Sequence, residues 1–143
     1  MILVDANLLI YAHITSSDHH SEARAWLSTQ LDAGSRVGIP WASMLAYLRI
    51  TTNPRVYARP LTIHAASEDV ESWLALPGVW IPEPTDQHAS VLLRLLRAGS
   101  AHGNLVTDAH LAALALEHGL TLMTADRGFG RFAGLRFENP LDV

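Results

Sequence analysis

Three aspartates stand where an α/β chain places its reactive groups. Asp5 directly follows the apolar run Ile2–Val4, and Asp126 comes two residues after the run TLMT at 121–124. Asp108 follows the apolar pair Leu105-Val106 and opens a helical pattern, which predicts a place at a helix N-terminus. Open parallel sheets bind ligands outside the carboxyl ends of their strands, so all three acids are expected at one sheet edge. Carboxylates converging there repel each other at a cost in stability, unless a cation neutralises them. Hard oxygen donors of this kind suit Mg²⁺ or Mn²⁺. Such an ion polarises a phosphodiester, activates a bound water and stabilises the leaving oxygen. Taken singly, each acid also has a plainer role. Asp108 with Leu111 and Ala112 behind it suits a helix cap, Asp126 in TADRG suits a turn, and Asp5 suits a structural position. Asn7 and Thr124 lie beside Asp5 and Asp126 and are placed to orient carboxylates or waters from behind, though each also suits a local cap or turn.

These positions depend on strands alternating with helices. Ile2–Val4 leads into NLLIYAH, Val37–Ile39 into WASMLAYLRI, and Thr121–Thr124 into the short segment DRGFGRF. Val79–Ile81 and Arg136–Glu138 are weaker strand candidates. Ser21–Leu31 is amphipathic, with Ala23, Trp26, Leu27 and Leu31 on one face. Thr62–Leu76 carries acids at 68, 69 and 71, read as its solvent side, and Asp86–Ala98 and Asp108–His118 complete the helices. Gly119 stops the last of them. Short apolar runs without polar alternation indicate a buried parallel sheet. The expected fold is therefore α/β, a three-layer α/β/α sandwich around a central parallel sheet, in one domain over 1–143.

Composition narrows the chemistry. The chain has 143 residues, 49% hydrophobic and 17% charged, which is globular rather than disordered. With no cysteine, thiol catalysis, disulfides and thiolate-bound zinc are excluded. Neither MILVD nor LAALAL is long enough for a signal core or a membrane span, so a soluble, cytoplasmic protein without a membrane partner is expected. A net charge of −4 argues mildly against a polyanionic substrate. Acids gathered at a metal site would mask basic patches in that sum, and all ten basic residues are arginine, which suits bidentate phosphate contacts.

The segments MILVDANLLIYA, HSEARAWL, LRITTNPRVY and GNLVTDAHLAALALEHGLTLMTADRGFGRF resemble the PIN-domain ribonuclease toxins of the VapC type, over nearly the whole chain. The most specific part is the pattern that runs from Asp108 through HGLTLMTAD to Phe129. The resemblance implies an endoribonuclease requiring Mg²⁺ or Mn²⁺, with Asp5, Asp108 and Asp126 as catalytic metal ligands and Asn7 and Thr124 as accompanying polar positions. It also implies a homodimer held inactive by a cognate antitoxin. One departure stands out. The family usually carries a glutamate on the helix after the second strand, whereas residues 33–67 contain no acid at all, and Ala46 is the matching position. WASMLAYLRITTNP resembles a subgroup with this feature. The loss predicts single-metal chemistry, and it supports an alternative in which a degenerate module only binds its antitoxin. A phosphatase using Asp5 as nucleophile is a third reading, weakened by Asn at position 7 and by the absence of lysine.

Among the remaining residues, Arg49 and Arg127 are the expected RNA-phosphate contacts, with Arg55 and Arg131 nearby; a solvated surface charge, or pairing with an antitoxin's acids, is an equal alternative for each. The eight histidines show no metal-ligand spacing, and His110, two residues from Asp108, falls on another helix face. Trp26, Trp41, Trp73 and Trp80 are read as core residues rather than base-stacking platforms.

Overall fold

The computed structural model describes residues 1–141, so positions 142 and 143 of the expected domain lie outside the described residues. The five apolar runs become β1 (Ile2–Val4), β2 (Val37–Gly38), β3 (Val79–Trp80), β4 (Thr121–Met123) and β5 (Phe137–Glu138). Every pairing is parallel and the order is β3-β2-β1-β4-β5. Ile2 faces Val37 on one side and Thr121 on the other, and Val4 faces Met123.

Among the described residues, six α-helices cover the sheet: α1 (Ala6–His13), α2 (His20–Asp32), α3 (Trp41–Thr51), α4 (Ile63–Leu74), α5 (His88–Ala98) and α6 (Leu105–His118). Because successive strand residues point to opposite faces, the sheet feeds two apolar clusters. Val4, Val37 and Met123 join Leu8, Leu9, Leu27, Met44 and Trp73 from α1 to α4. Leu3 and Leu122 join Leu95, Leu111, Leu114 and Phe129 on the other side. The expected three-layer α/β/α arrangement is thus present, with helices on both faces of a parallel sheet. No helix of the described residues is long and apolar enough to cross a membrane.

Three local expectations change. The last helix begins at Leu105, not at Asp108, and Asn104 occupies its cap position without a side-chain cap bond. Asp108 therefore lies one turn inside α6 and does not cap it, because Leu105 and Val106 enter the helix rather than forming an apolar strand end. Gly119 closes the helix as expected, with φ +67° in the left-handed region where a Cβ would be strained. Asp69, read as solvent-facing, instead accepts the hydroxyl of buried Tyr47 at 2.5 Å. Tyr47 also packs edge-on against Trp73 and His13, and a phenol enclosed in this way needs an acceptor for its hydroxyl. Finally, Trp41 is 45% exposed while Trp73 is 2% exposed, so Trp41 is not core.

Candidate metal and catalytic site

Leaving β1, the chain goes to β2 on one side and later returns to β4 on the other. That reversal opens a crevice at the carboxyl ends of β1 and β4. Asp5 is the first residue past β1, and Asp126 lies three residues past the end of β4.

Local hydrogen bonds fix both. Asp5 caps α1, its Oδ1 accepting from the Ala6 N–H at 2.7 Å. Its Oδ2 accepts from the Thr124 hydroxyl at 2.8 Å and from Asn7 Nδ2 at 3.3 Å. Thr124, 1% exposed, is the centre of this arrangement. While donating to Asp5, its Oγ1 accepts from Asn7 Nδ2 at 3.2 Å and from the Asp126 N–H at 3.0 Å. Asn7 Oδ1 in turn accepts from the Ala125 N–H at 3.2 Å. Two side chains thus tie the start of α1 to the loop after β4. Asp126 accepts the Gly128 N–H at 2.8 Å, at the head of the short 3₁₀ turn Arg127–Arg131. A Cβ at Gly128 would come within 3.0 Å of that same oxygen, so glycine permits the approach.

The side chains of Asp5, Asp108 and Asp126 line one pocket of about 340 Å³, together with Asn7 and, from α3, Ala42, Ala46 and Arg49. Asn104, at the cap of α6, and Thr107 within it complete its polar wall. They were not anticipated from the sequence. Asn104 lies four residues before Asp108, which would have placed it on the same face had the helix been started at 105. Arg49 is in the wall. Arg127 is exposed and outside it, whereas the charge of Arg131 reaches Asp108. A larger cleft of about 470 Å³ between α2 and α4 holds no carboxylate, so chemistry rather than volume selects the acidic pocket.

The electrostatics bear the strain expected of clustered acids. Burial first, then the charges of Asp5 and Asp126, with Arg131 opposing, push Asp108 up to about 6. Asp5 is also raised, first by burial; bonds from Thr124 and Ala6 oppose the rise and Asp126 adds to it. Among the described residues, no three acidic or histidine side chains are arranged to hold an ion by themselves. The donor set is nonetheless hard, anionic and short of positive partners, which fits a divalent cation that keeps several of its own waters.

Residues 2–135 match the family model of the PIN domain. Ribonuclease VapC37 of Mycobacterium tuberculosis is 44% identical over 140 residues, covering 98% of this chain and 97% of that protein. Among solved structures, FitAcB from Neisseria gonorrhoeae superposes with a TM-score of 0.70 at 21% identity, covering 100% of both chains. VapC20 of M. tuberculosis, described as a sarcin-ricin loop cleaving toxin, gives 0.69 at 16% identity over 95% of this chain and 99% of that one. At such identities the two structures speak for the fold alone.

Proposed function

Since the chain belongs to the PIN-domain family of VapC ribonucleases, we propose that it is the toxin of a toxin–antitoxin pair and hydrolyses RNA at Asp5, Asp108 and Asp126 with Mg²⁺ or Mn²⁺. The observation that carries this reading is the shared pocket. Acids from three segments far apart in the chain face one crevice, and two of them are pushed upward in pKa. In this reading the three aspartates hold the cation, and the bound ion supplies Lewis-acid polarisation of the phosphodiester and an activated water. Thr124 and Asn7 hold Asp5 in orientation, Arg49 contacts a phosphate at the pocket wall, and Arg127 contacts one beyond it. One domain over 1–143, a cytoplasmic setting, homodimer formation and inhibition by a cognate antitoxin belong to the same proposal.

The reading is tested with purified, partner-free protein on structured RNA in Mg²⁺, Mn²⁺ or EDTA. Cleavage with either ion and none in EDTA is expected; cleavage indifferent to EDTA overturns it. Intact RNA in every mixture, from protein that still binds its antitoxin, favours the second reading of a degenerate binding module. The specific support for that alternative is Ala46, which lines the pocket at the position that the sequence resemblance matches to the family's usual glutamate.

Two further results follow from the charges. A cation competes with protons for Asp108, whose pKa lies at about 6 without metal. Added Mg²⁺ should therefore raise the melting temperature at pH 7.5 and lose most of that effect by pH 5, as read in a thermal-shift titration. An equal shift at both pH values would place the ion elsewhere. Ala46→Glu adds a fourth carboxylate to the wall and should tighten Mg²⁺ binding by about tenfold or more, as ligand charge rises. An unchanged dissociation constant by calorimetry would show that position 46 does not reach the ion.

A further inference from the structure

The pocket of the three acids is bounded by one face of each of two helices. It takes Asn104, Thr107, Asp108 and Leu111 from the start of α6, and Ala42, Ala46, Arg49 and Ile50 from α3. Asn104 precedes the helix but has helical backbone angles, φ −61° and ψ −22°. Residues three, four and seven apart share a helix face, so both sets of side chains project toward the pocket. Depth sorts them by chemistry. Leu111 is 4% exposed and belongs to the floor, whereas Asn104, Thr107 and Arg49 are exposed and form the mouth.

These mouth groups are uncommitted. Asparagine is a favoured helix cap because its side chain bonds the first free N–H groups, yet the Asn104 side chain makes no such bond. Among the described residues, neither its carboxamide nor the Thr107 hydroxyl has a hydrogen-bond partner, and Arg49 has no ion pair. The mouth therefore offers two kinds of contact. Arg49 is charged and only donates, which suits a phosphate. A carboxamide and a hydroxyl are neutral, and each donates and accepts. That pair suits an alcohol, which does both as well.

RNA carries one such alcohol per nucleotide, the ribose 2′-hydroxyl, beside the 3′-oxygen that bears the phosphate. The hydrolysis proposed above uses an activated water, so the 2′-oxygen takes no part in it, and the acids alone would accept DNA. Discrimination must then come from recognition of the sugar. We propose that Asn104 and Thr107 read a ribose 2′-hydroxyl of the strand whose phosphodiester lies at the acids, and that this pair makes the site one for RNA rather than DNA. The proposal rests on the phosphodiester reading of the pocket, and its test does not require cleavage.

The test is equilibrium binding, read by fluorescence anisotropy in Ca²⁺, an ion that fills hard oxygen sites. The probes are short single-stranded oligonucleotides of mixed sequence, identical in their bases, with ribose, 2′-deoxyribose or 2′-fluoro sugars. The parent should bind the ribose strand about tenfold tighter than the deoxyribose strand, the scale of two neutral hydrogen bonds. Asn104→Ala and Thr107→Val should each cut that ratio to about threefold or less, one bond being lost, without weakening the deoxyribose strand. Arg49→Ala should weaken both strands alike and leave the ratio as it was. A ratio that survives both Asn104→Ala and Thr107→Val overturns the proposal, as does a parent that ignores the sugar. So does a 2′-fluoro strand bound as tightly as the ribose strand. That sugar keeps an RNA-like pucker without the donor, so shape would be what is read. Each of these can occur while EDTA-sensitive RNA cleavage persists. Conversely, a ribose preference lost on Asn104→Ala can occur in protein that cleaves nothing, so the two readings fail separately.

Discussion

Asp108→Asn is expected to abolish RNA hydrolysis while leaving the metal-free protein as stable as before, or slightly more so. The substitution keeps the shape of the side chain and removes one charge from a cluster of three. No hydrogen bond is among the influences on the Asp108 carboxyl, so little local structure is lost with it. Loss of a ligand to a catalytic ion removes several kcal/mol of transition-state stabilisation, on the order of 10²–10⁴ in rate at 1.36 kcal/mol per tenfold. The stability effect has the opposite sign. The native pKa of Asp108 is raised, so the folded state holds this proton more firmly than the unfolded chain does. Stability without metal therefore falls as pH rises from the ordinary 3.8 to about 6 and stays at its lower level above that. The asparagine variant escapes that loss. The group is about half exposed, so after screening the gain is about 1 kcal/mol or less, or a few degrees in melting temperature at pH 7.5. A variant that lost activity and melted far below the parent would show instead that Asp108 is needed by the fold, and the cation would lose its place in the argument.

Thr124→Val attacks the same site from behind. Valine matches threonine in shape, so the surrounding packing is kept and only the hydroxyl is lost. That hydroxyl donates to Asp5 and accepts from both Asn7 and the Asp126 backbone. Its removal strands buried polar groups at a cost of about 2 kcal/mol. It also removes the bond that most strongly opposes the burial-driven rise of the Asp5 pKa. Asp5 should then hold a proton to higher pH and compete less well for the ion. Cation affinity should drop about 10–100-fold, the usual effect of losing a group that orients a metal ligand, and turnover should fall with it. Thr124→Ser, which keeps the hydroxyl, should restore most of both. If Thr124→Val binds Mg²⁺ as tightly as the parent, the hydroxyl serves the fold only.

The layered fold and the three acids were legible because both depend on local patterns. A buried parallel strand must be a short, unbroken apolar run, and Ile2–Val4, Val37–Ile39 and Thr121–Thr124 each lie on a strand of the sheet within a residue or two. An acid directly after such a run lies at the carboxyl edge wherever the sheet is assembled. The helix start was missed at α6 because Leu105 and Val106 suit either a strand end or a first helical turn, and only packing decides between them. The misreadings of Asp69 and Trp41 have a related cause. Helical periodicity says which residues share a face, but not what lies opposite it, and buried Tyr47 stands opposite Asp69.

By itself, the sequence determined the elements and their layering, since spacing along a chain is enough to decide these, and the family was read from the resemblance of whole segments to known toxins. Tertiary structure alone decided that Thr124 links Asp5, Asn7 and Asp126, and that Glu117, His88 and His110 lie in one hydrogen-bonded chain. The bonded pairs are separated by up to 119 residues. A side-chain hydrogen bond acts over about 3 Å, and only the order in which strands and helices assemble brings such distant positions that close.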